Sequence, residues 1–123
     1  MKRTQEYAMR AWLGDGHGLD NGQVAELMRT SDEISERYPD ADDQDLRDAA
    51  LGTAYRLMIG DDSVVDEYAE TRAHAKRMEA CAMAALEQGA LTLVPSKQMT
   101  EKDYAERAGV DRMTVRRRWF GKK

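Results

Sequence analysis

Basic side chains that can bind an anion are concentrated at the carboxyl end of the chain. Residues 112 to 123 contain six positive charges and no negative charge, in the sequence RMTVRRRWFGKK. Arg116, Arg117 and Arg118 are consecutive, and the planar guanidinium group of arginine can hold phosphate oxygens through two parallel hydrogen bonds. This segment therefore predicts contact with the phosphates of a nucleic acid.

The residues just before the basic segment predict a short helix that ends in a sharp turn. The hydroxyl of Thr100 can cap a helix over about 101–108, and Asp103 is placed to complete a capping box. Small Ala105 would let a second helix cross closely. Gly109 can adopt the positive φ with which such a helix ends.

A second helix is expected to begin at about Arg112, and it would present the basic side chains. Asp111 can cap it, since a negative charge complements the amide end of a helix. Met113 and Val115 are expected to face the interior. The outer face would then carry Arg112, Thr114, Arg116 and Arg117.

This segment resembles the helix-turn-helix family of prokaryotic and phage regulators. The family pattern has a small Ala, a Gly four residues later and a β-branched residue six after that, which Ala105, Gly109 and Val115 match. The resemblance implies that the second helix reads DNA in the major groove. It places Arg112, Thr114, Arg116 and Arg117 at the DNA, and Thr100, Lys122 and Lys123 at phosphates.

One position departs from the family pattern. Arg118 stands where the family has an apolar residue, and Trp119 and Phe120 follow it. The second helix could therefore be shifted by one residue against its core. We include Arg118 among the candidate DNA-binding residues, and leave open which arginine faces the bases.

Charge divides the chain into an acidic part and a basic part. Residues 100 to 123 contain eight Lys or Arg and four Asp or Glu, a net charge of +4. The whole chain has a net charge of −4, so residues 1 to 99 have a net charge of −8. The basic part is expected to face DNA, which leaves the acidic body free for a homodimer, a higher oligomer or a protein partner. The alternative is that the basic end is only a solvated helix terminus.

Composition predicts an all-α protein, namely a small helical bundle with a C-terminal helix-turn-helix. Of the residues, 34% are charged and only two are proline. The single Cys81 lies in an alanine-rich run and is expected to be a buried thiol in the reducing cytoplasm. We find no signal peptide, membrane span, catalytic residues, cofactor motif or metal-ligand spacing, so no enzyme, cofactor, metal or membrane partner is predicted.

Residues 1–89 are predicted to form the acidic helical body, 90–99 a linker, and 100–123 the DNA-binding module. Four helices are expected in the body, over about 4–13, 23–38, 40–60 and 63–88, the last one capped by Ser63 and ended by Gly89. Trp12 is expected to be a core anchor. The expected apolar faces are Tyr7, Ala8, Ala11 and Trp12 on the first helix, and Leu46, Ala49, Ala50, Thr53, Ala54, Leu57 and Met58 on the third.

The long fourth helix has two interpretations and one further expected contact. Its alanine-rich sides could be buried in its own bundle, which we favour, or could form a dimer seam. Its end, with Met83 and Leu86, is expected to cover the apolar side of the terminal helix pair.

The predicted function is that of a small sequence-specific DNA-binding protein, a transcriptional regulator of bacterial or phage type. One alternative is an adaptor or inhibitor that holds a protein, such as a host factor, through the acidic body. Another is an accessory protein of DNA packaging or recombination, which would form a larger oligomer.

Overall fold

In the computed structural model, which describes residues 2–123, all regular secondary structure is helical. Five α-helices follow in the order α1 (Lys2–Leu13), α2 (Asn21–Arg37), α3 (Gln44–Met58), α4 (Ser63–Leu93) and α5 (Glu101–Ala108). A 3₁₀ turn (Ala41–Asp43) precedes α3, and a π-helical segment (Thr114–Trp119) follows α5. The predicted all-α class is confirmed. Over this part of the chain, no helix carries an apolar stretch that could cross a bilayer.

The chain divides into two compact units, with the division inside α4. The first unit extends to Ala69 and the second runs from Glu70 to Lys123. This division lies earlier in the chain than the linker predicted at 90–99. Because helix α4 continues to Leu93, the first four residues of that predicted linker are helical.

The core of the first unit is formed by α1, α2 and α3. Its buried side chains are Met9, Val24, Leu27, Ile34 and Leu51. Helix α2 begins in a full capping box, in which the Asp20 carboxylate accepts the Gln23 N–H and the Gln23 side chain accepts the Asp20 N–H. The preceding glycine-rich loop is held by a hydrogen bond of 2.7 Å from the Tyr55 hydroxyl to the carbonyl of His17.

The predicted apolar face of α1 was wrong, and that of α3 was only partly right. On α1 the buried side chain is Met9, whereas Tyr7 is 79% exposed and Trp12 is 42% exposed. Trp12 is no core anchor and meets Tyr55 edge to face. When alanines lie on several sides of a helix, the hydrophobic periodicity of the sequence does not define one apolar face, so the contact with the neighbouring helix determines which face packs.

On α3 the core contact is made by Leu51, which is 9% exposed. Leu46 and Leu57, predicted to be inside, are 45% and 47% exposed. Ala50, Ala54 and Met58 of the predicted face do pack against the core. The helix is therefore rotated from the predicted face toward Leu51.

An ionic cluster joins the end of α3 to the start of α4. Arg56 binds Asp61 at 2.8 Å and also pairs with Glu67. The hydrogen bond from Arg56 lowers the pKa of Glu67, and those from Ser63 and Arg56 lower the pKa of Asp61. Ser63 was predicted to cap α4, but it is the first helical residue and donates its own N–H to Asp61.

Helix α4 differs from its prediction at its end and along its middle. It does not stop at Gly89 but continues to Leu93. Cys81, predicted to be buried, is exposed. Exposure is continuous from Val65 to Ala82, so this stretch is not buried within the described part of the chain.

Candidate nucleic-acid interface

The candidate interface begins with α5, which has the cap, the bounds and the final turn that the sequence predicts. The Thr100 hydroxyl accepts the Asp103 N–H at 3.1 Å, and α5 spans the predicted Glu101–Ala108. The helix ends at Gly109 in the left-handed conformation, with φ of 72°. Among the described hydrogen bonds, only the Thr100 half of the predicted capping box forms.

The segment after the turn starts as predicted but winds differently. The Asp111 carboxylate accepts the Met113 N–H at 2.6 Å, so Asp111 caps it. Residues Thr114–Trp119 then form a π-helix rather than the predicted α-helix, and the Phe120 N–H donates to the Val115 carbonyl five residues back. Met113, predicted to face inward, is 40% exposed.

The wide π turn explains how the segment packs on its core although Arg118 stands where an apolar residue was expected. Val115 is fully buried, and Trp119 and Phe120 both pack on the same cluster. One extra residue per turn lets these side chains reach the core while Arg118 stays in solvent. The segment thus keeps three apolar contacts without burying a charge, which would be costly.

The end of α4 is the third element that covers this core, as predicted. The buried members of the cluster are Ala90, Tyr104, Ala105 and Val115, with Leu93 and Val94 packed beside them. The contact lies further along α4 than the predicted Met83 and Leu86. Leu86 contributes its carbonyl, which accepts the Tyr104 hydroxyl at 2.6 Å.

Gly89 explains how α5 approaches α4 so closely. A Cβ built on Gly89 would meet the Tyr104 hydroxyl oxygen directly and would lie 3.3 Å from Cζ of the same ring. Glycine at this helical position therefore makes room for Tyr104 and does not end the helix. The sequence shows only a glycine at the expected end of a helix, so this role was not predicted.

Three of the predicted site arginines are available to a ligand. Arg112, Arg117 and Arg118 are exposed, and within residues 2–123 none of them forms an ion pair or hydrogen bond through its side chain. Lys123 is exposed as well. The three guanidinium groups are therefore accessible to an external anion.

Two other predicted site residues form ion pairs with Glu101, although their side chains stay 38% and 49% exposed. Lys122 Nζ lies 2.6 Å from Glu101 Oε1, and Arg116 Nη1 lies 3.5 Å from Glu101 Oε2. Arg116 Nε also donates to the Lys123 carbonyl at 3.1 Å. Lys122 sits over the Phe120 ring, 5.3 Å from its centre. The side chain of Glu101 is only 10% exposed.

The hydrogen bond from Lys122 and the charges of Lys122 and Arg116 hold the pKa of Glu101 below its ordinary value. Glu101 therefore stays ionised and neutralises part of the basic segment. Glu101 is separated from these partners by fifteen residues or more, so no local pattern could have indicated the contact.

Neither of the two candidate threonines is both exposed and without a structural hydrogen bond. The Thr100 hydroxyl is used in the α5 cap, although the residue is exposed. Thr114, predicted on the outer face, is half-buried.

The described residues contain no group of three His, Cys, Asp or Glu side chains that could hold a metal ion. No family model matches the sequence, and comparisons with curated proteins and with solved structures found no match.

Proposed function

We propose that this protein is a DNA-binding regulator whose second unit contacts the duplex through the segment after Gly109. The observation that carries the proposal is the exposure of Arg112, Arg117 and Arg118 without an internal partner. The guanidinium group suits both phosphate oxygens and the edge of guanine. The resemblance to helix-turn-helix regulators points to the same segment.

The packing of the segment supports this role. Val115 is buried in one cluster with Tyr104 and Ala105 of α5 and Ala90 of α4, so the backbone that carries the arginines is anchored on two helices. A rigid support lowers the entropy lost when these long side chains bind. The acidic first 99 residues would be repelled by phosphates, which favours an orientation with the basic segment toward DNA.

We propose different roles for the predicted residues. Arg112, Arg117 and Arg118 are the proposed contacts to bases or phosphates, together with Lys123. Arg116 and Lys122 are proposed as positioning residues, because Glu101 holds both of them. Thr100 is proposed to act through its cap on α5.

The test is fluorescence anisotropy of a labelled duplex pool, read over a series of salt concentrations. Arg117→Ala with Arg118→Ala should weaken binding and reduce the slope of log K against log salt by about 2. The control is Arg29→Ala with Arg37→Ala, which removes the same charge from exposed positions of α2. Equal losses in both variants, or none in the first, would refute the assignment.

A second candidate function is an adaptor that holds another protein through the first unit. Its supporting observation is that Leu46, Leu57, Val65 and Tyr68 are each 45–57% exposed, on the acidic part of the chain. Transcript profiles of cells that express the wild type or the Arg112→Ala, Arg117→Ala, Arg118→Ala variant separate the two functions. A regulator loses its effect in the variant, whereas an adaptor retains it.

A further inference from the structure

An open apolar groove lies between α3 and the first turns of α4, within the first unit. Its volume is about 380 Å³. The more buried of its lining residues include Thr53 and Val64, and the latter is 1% exposed. Leu46, Val65 and Tyr68 line it as well, and each of them remains about half exposed. A contiguous exposed apolar patch of this kind is typical of an interaction site.

The chemistry of the groove suits a helical peptide better than a small molecule. Small-molecule sites contain polar groups that converge on the ligand. None of the described lining residues is charged, and the Thr53 hydroxyl already donates to the Ala49 carbonyl at 2.9 Å. Small Ala49 and Ala50 let another helix approach closely and insert apolar side chains. No strand occurs within residues 2–123, so an extended peptide finds no sheet edge there.

The unit that contains the groove is strongly acidic. Residues 1–69 contain seven Lys or Arg and sixteen Asp or Glu, a net charge of −9. The two arginines of α3 are used internally, because Arg47 donates to two backbone carbonyls and Arg56 pairs with two carboxylates. Asp42 and Asp45, where the chain enters α3, form no ion pair with any described residue. The charges available to a partner in this region are therefore negative.

We propose that this groove binds a basic amphipathic helix of another protein. Apolar side chains of that helix fill the groove, and its lysines or arginines face the surrounding aspartates. The inference goes beyond the proposed DNA function, and it gives the adaptor alternative a docking site and a class of partner.

Charge and packing disfavour the other possible occupants. A second copy that paired through the same groove would add another net charge of −9, and a nucleic acid or an anionic membrane would also be repelled. The chain's own basic segment, residues 112–123, is already used in the second unit. Its apolar Val115, Trp119 and Phe120 pack on the cluster of that unit and are not available to the groove.

The test is selection of peptides from a phage-displayed random library. The bait is the full-length Arg112→Ala, Arg117→Ala, Arg118→Ala variant, which leaves fewer exposed arginines to bind acidic peptides. We expect enriched peptides with apolar residues at spacings i, i+3 or i+4 and i+7, and with a net positive charge. No enrichment, or enrichment of acidic or proline-rich peptides, would overturn the proposal.

The affinity of an enriched peptide for groove variants locates its site. Leu46→Ala with Tyr68→Ala should raise the peptide Kd about tenfold. The matched control is Leu91→Ala with Tyr7→Ala, which removes the same two side-chain types from positions that are 39% and 79% exposed. Circular dichroism checks that both variants stay helical. An equal Kd in the two variants would show that the peptide binds elsewhere and would refute the groove.

The charge argument has its own test in the binding kinetics. Asp42→Asn with Asp45→Asn should lower the association rate of the peptide several-fold at low salt and leave its dissociation rate nearly unchanged. Glu26→Gln with Glu33→Gln removes the same charge from exposed positions of α2 and should have a smaller effect. The same decrease in both variants would contradict recognition by the aspartates near the groove.

Two further measurements separate the groove from self-association and from DNA binding. Sedimentation equilibrium that showed a wild-type dimer, lost in Leu46→Ala, Tyr68→Ala, would make the groove a contact between copies and overturn the proposal. A protein that binds the peptide but no DNA would refute the DNA function and leave the groove intact. A protein that binds DNA but no peptide would refute only the groove.

Discussion

Replacing Gly89 by alanine should destabilise the second unit, although alanine has a higher helix propensity than glycine. The new Cβ would collide with the Tyr104 hydroxyl, which donates to the Leu86 carbonyl at 2.6 Å, and Tyr104 itself is 6% exposed. The ring must move, so its hydrogen bond is lost and the packing beneath α5 is strained. The clash is thus expected to outweigh the helix propensity gained.

The magnitude follows from three opposing contributions. Overpacking costs about 1–3 kcal/mol, the lost hydrogen bond costs about 1 kcal/mol, and exchanging glycine for alanine within a helix gains about 1 kcal/mol. The net loss in the free energy of opening of the second unit is about 1–3 kcal/mol. Tyr104→Phe in the same chain removes the clashing oxygen and should recover most of this loss.

Gly52→Ala is the matched control. Gly52 also lies within a helix, and a Cβ built there has no heavy atom within 4 Å. It should stabilise the first unit by up to about 1 kcal/mol. Native-state amide hydrogen exchange of the full-length protein reports the opening of each unit separately. A Gly89→Ala variant with unchanged or greater protection in α5 would refute the packing argument.

Two further sets of variants test the ionic contact and the first core. The pKa of Glu101 is lower in the folded protein than its ordinary value of 4.5. The stabilisation by the Glu101 ion pairs is therefore fully present above pH 4.5, and it is lost as the pH falls through the pKa that Glu101 has in the folded protein. Acid titration of amide exchange around Arg116 and Lys122 should show this loss in wild type and not in Glu101→Gln. The same variant should bind DNA more tightly, with a steeper salt dependence, because two cations are released; weaker binding would contradict this. Leu51→Ala should cost about 2–5 kcal/mol, and Leu46→Ala clearly less, in urea unfolding; equal losses would show that the packed face of α3 is misassigned.

Local signals in the sequence were sufficient to predict much of the secondary structure of the second unit. The caps of Thr100 and Asp111 and the left-handed turn at Gly109 depend on residues a few positions apart, and each of them was predicted. The bounds of α5 were predicted for the same reason. The use of α4 as the covering element followed from the need to bury an apolar face.

Features set by tertiary packing were not predicted. The π turn depends on how Val115 and Phe120 fit together over the core, and the hold of Glu101 on Lys122 joins residues far apart in sequence. Gly89 was assigned to a helix end because its close neighbour Tyr104 is distant along the chain. Which predicted arginines were free could therefore not be known from spacing alone.

The face of α3 shows a different limit. Leu46 and Leu51 both belong to plausible apolar stripes, since alanines lie on several sides of the helix. Only contact with α1 and α2 selects Leu51. Sequence periodicity therefore located the helix but not its rotation.

Sequence-specific DNA binding by the second unit can be measured by selecting bound duplexes from a random DNA library, at physiological salt and with the full-length protein. We expect an enriched sequence that is lost in the Arg112→Ala, Arg117→Ala, Arg118→Ala variant and retained in Arg29→Ala, Arg37→Ala. No enrichment by the wild type, or the same enriched sequence from the triple variant, would contradict it.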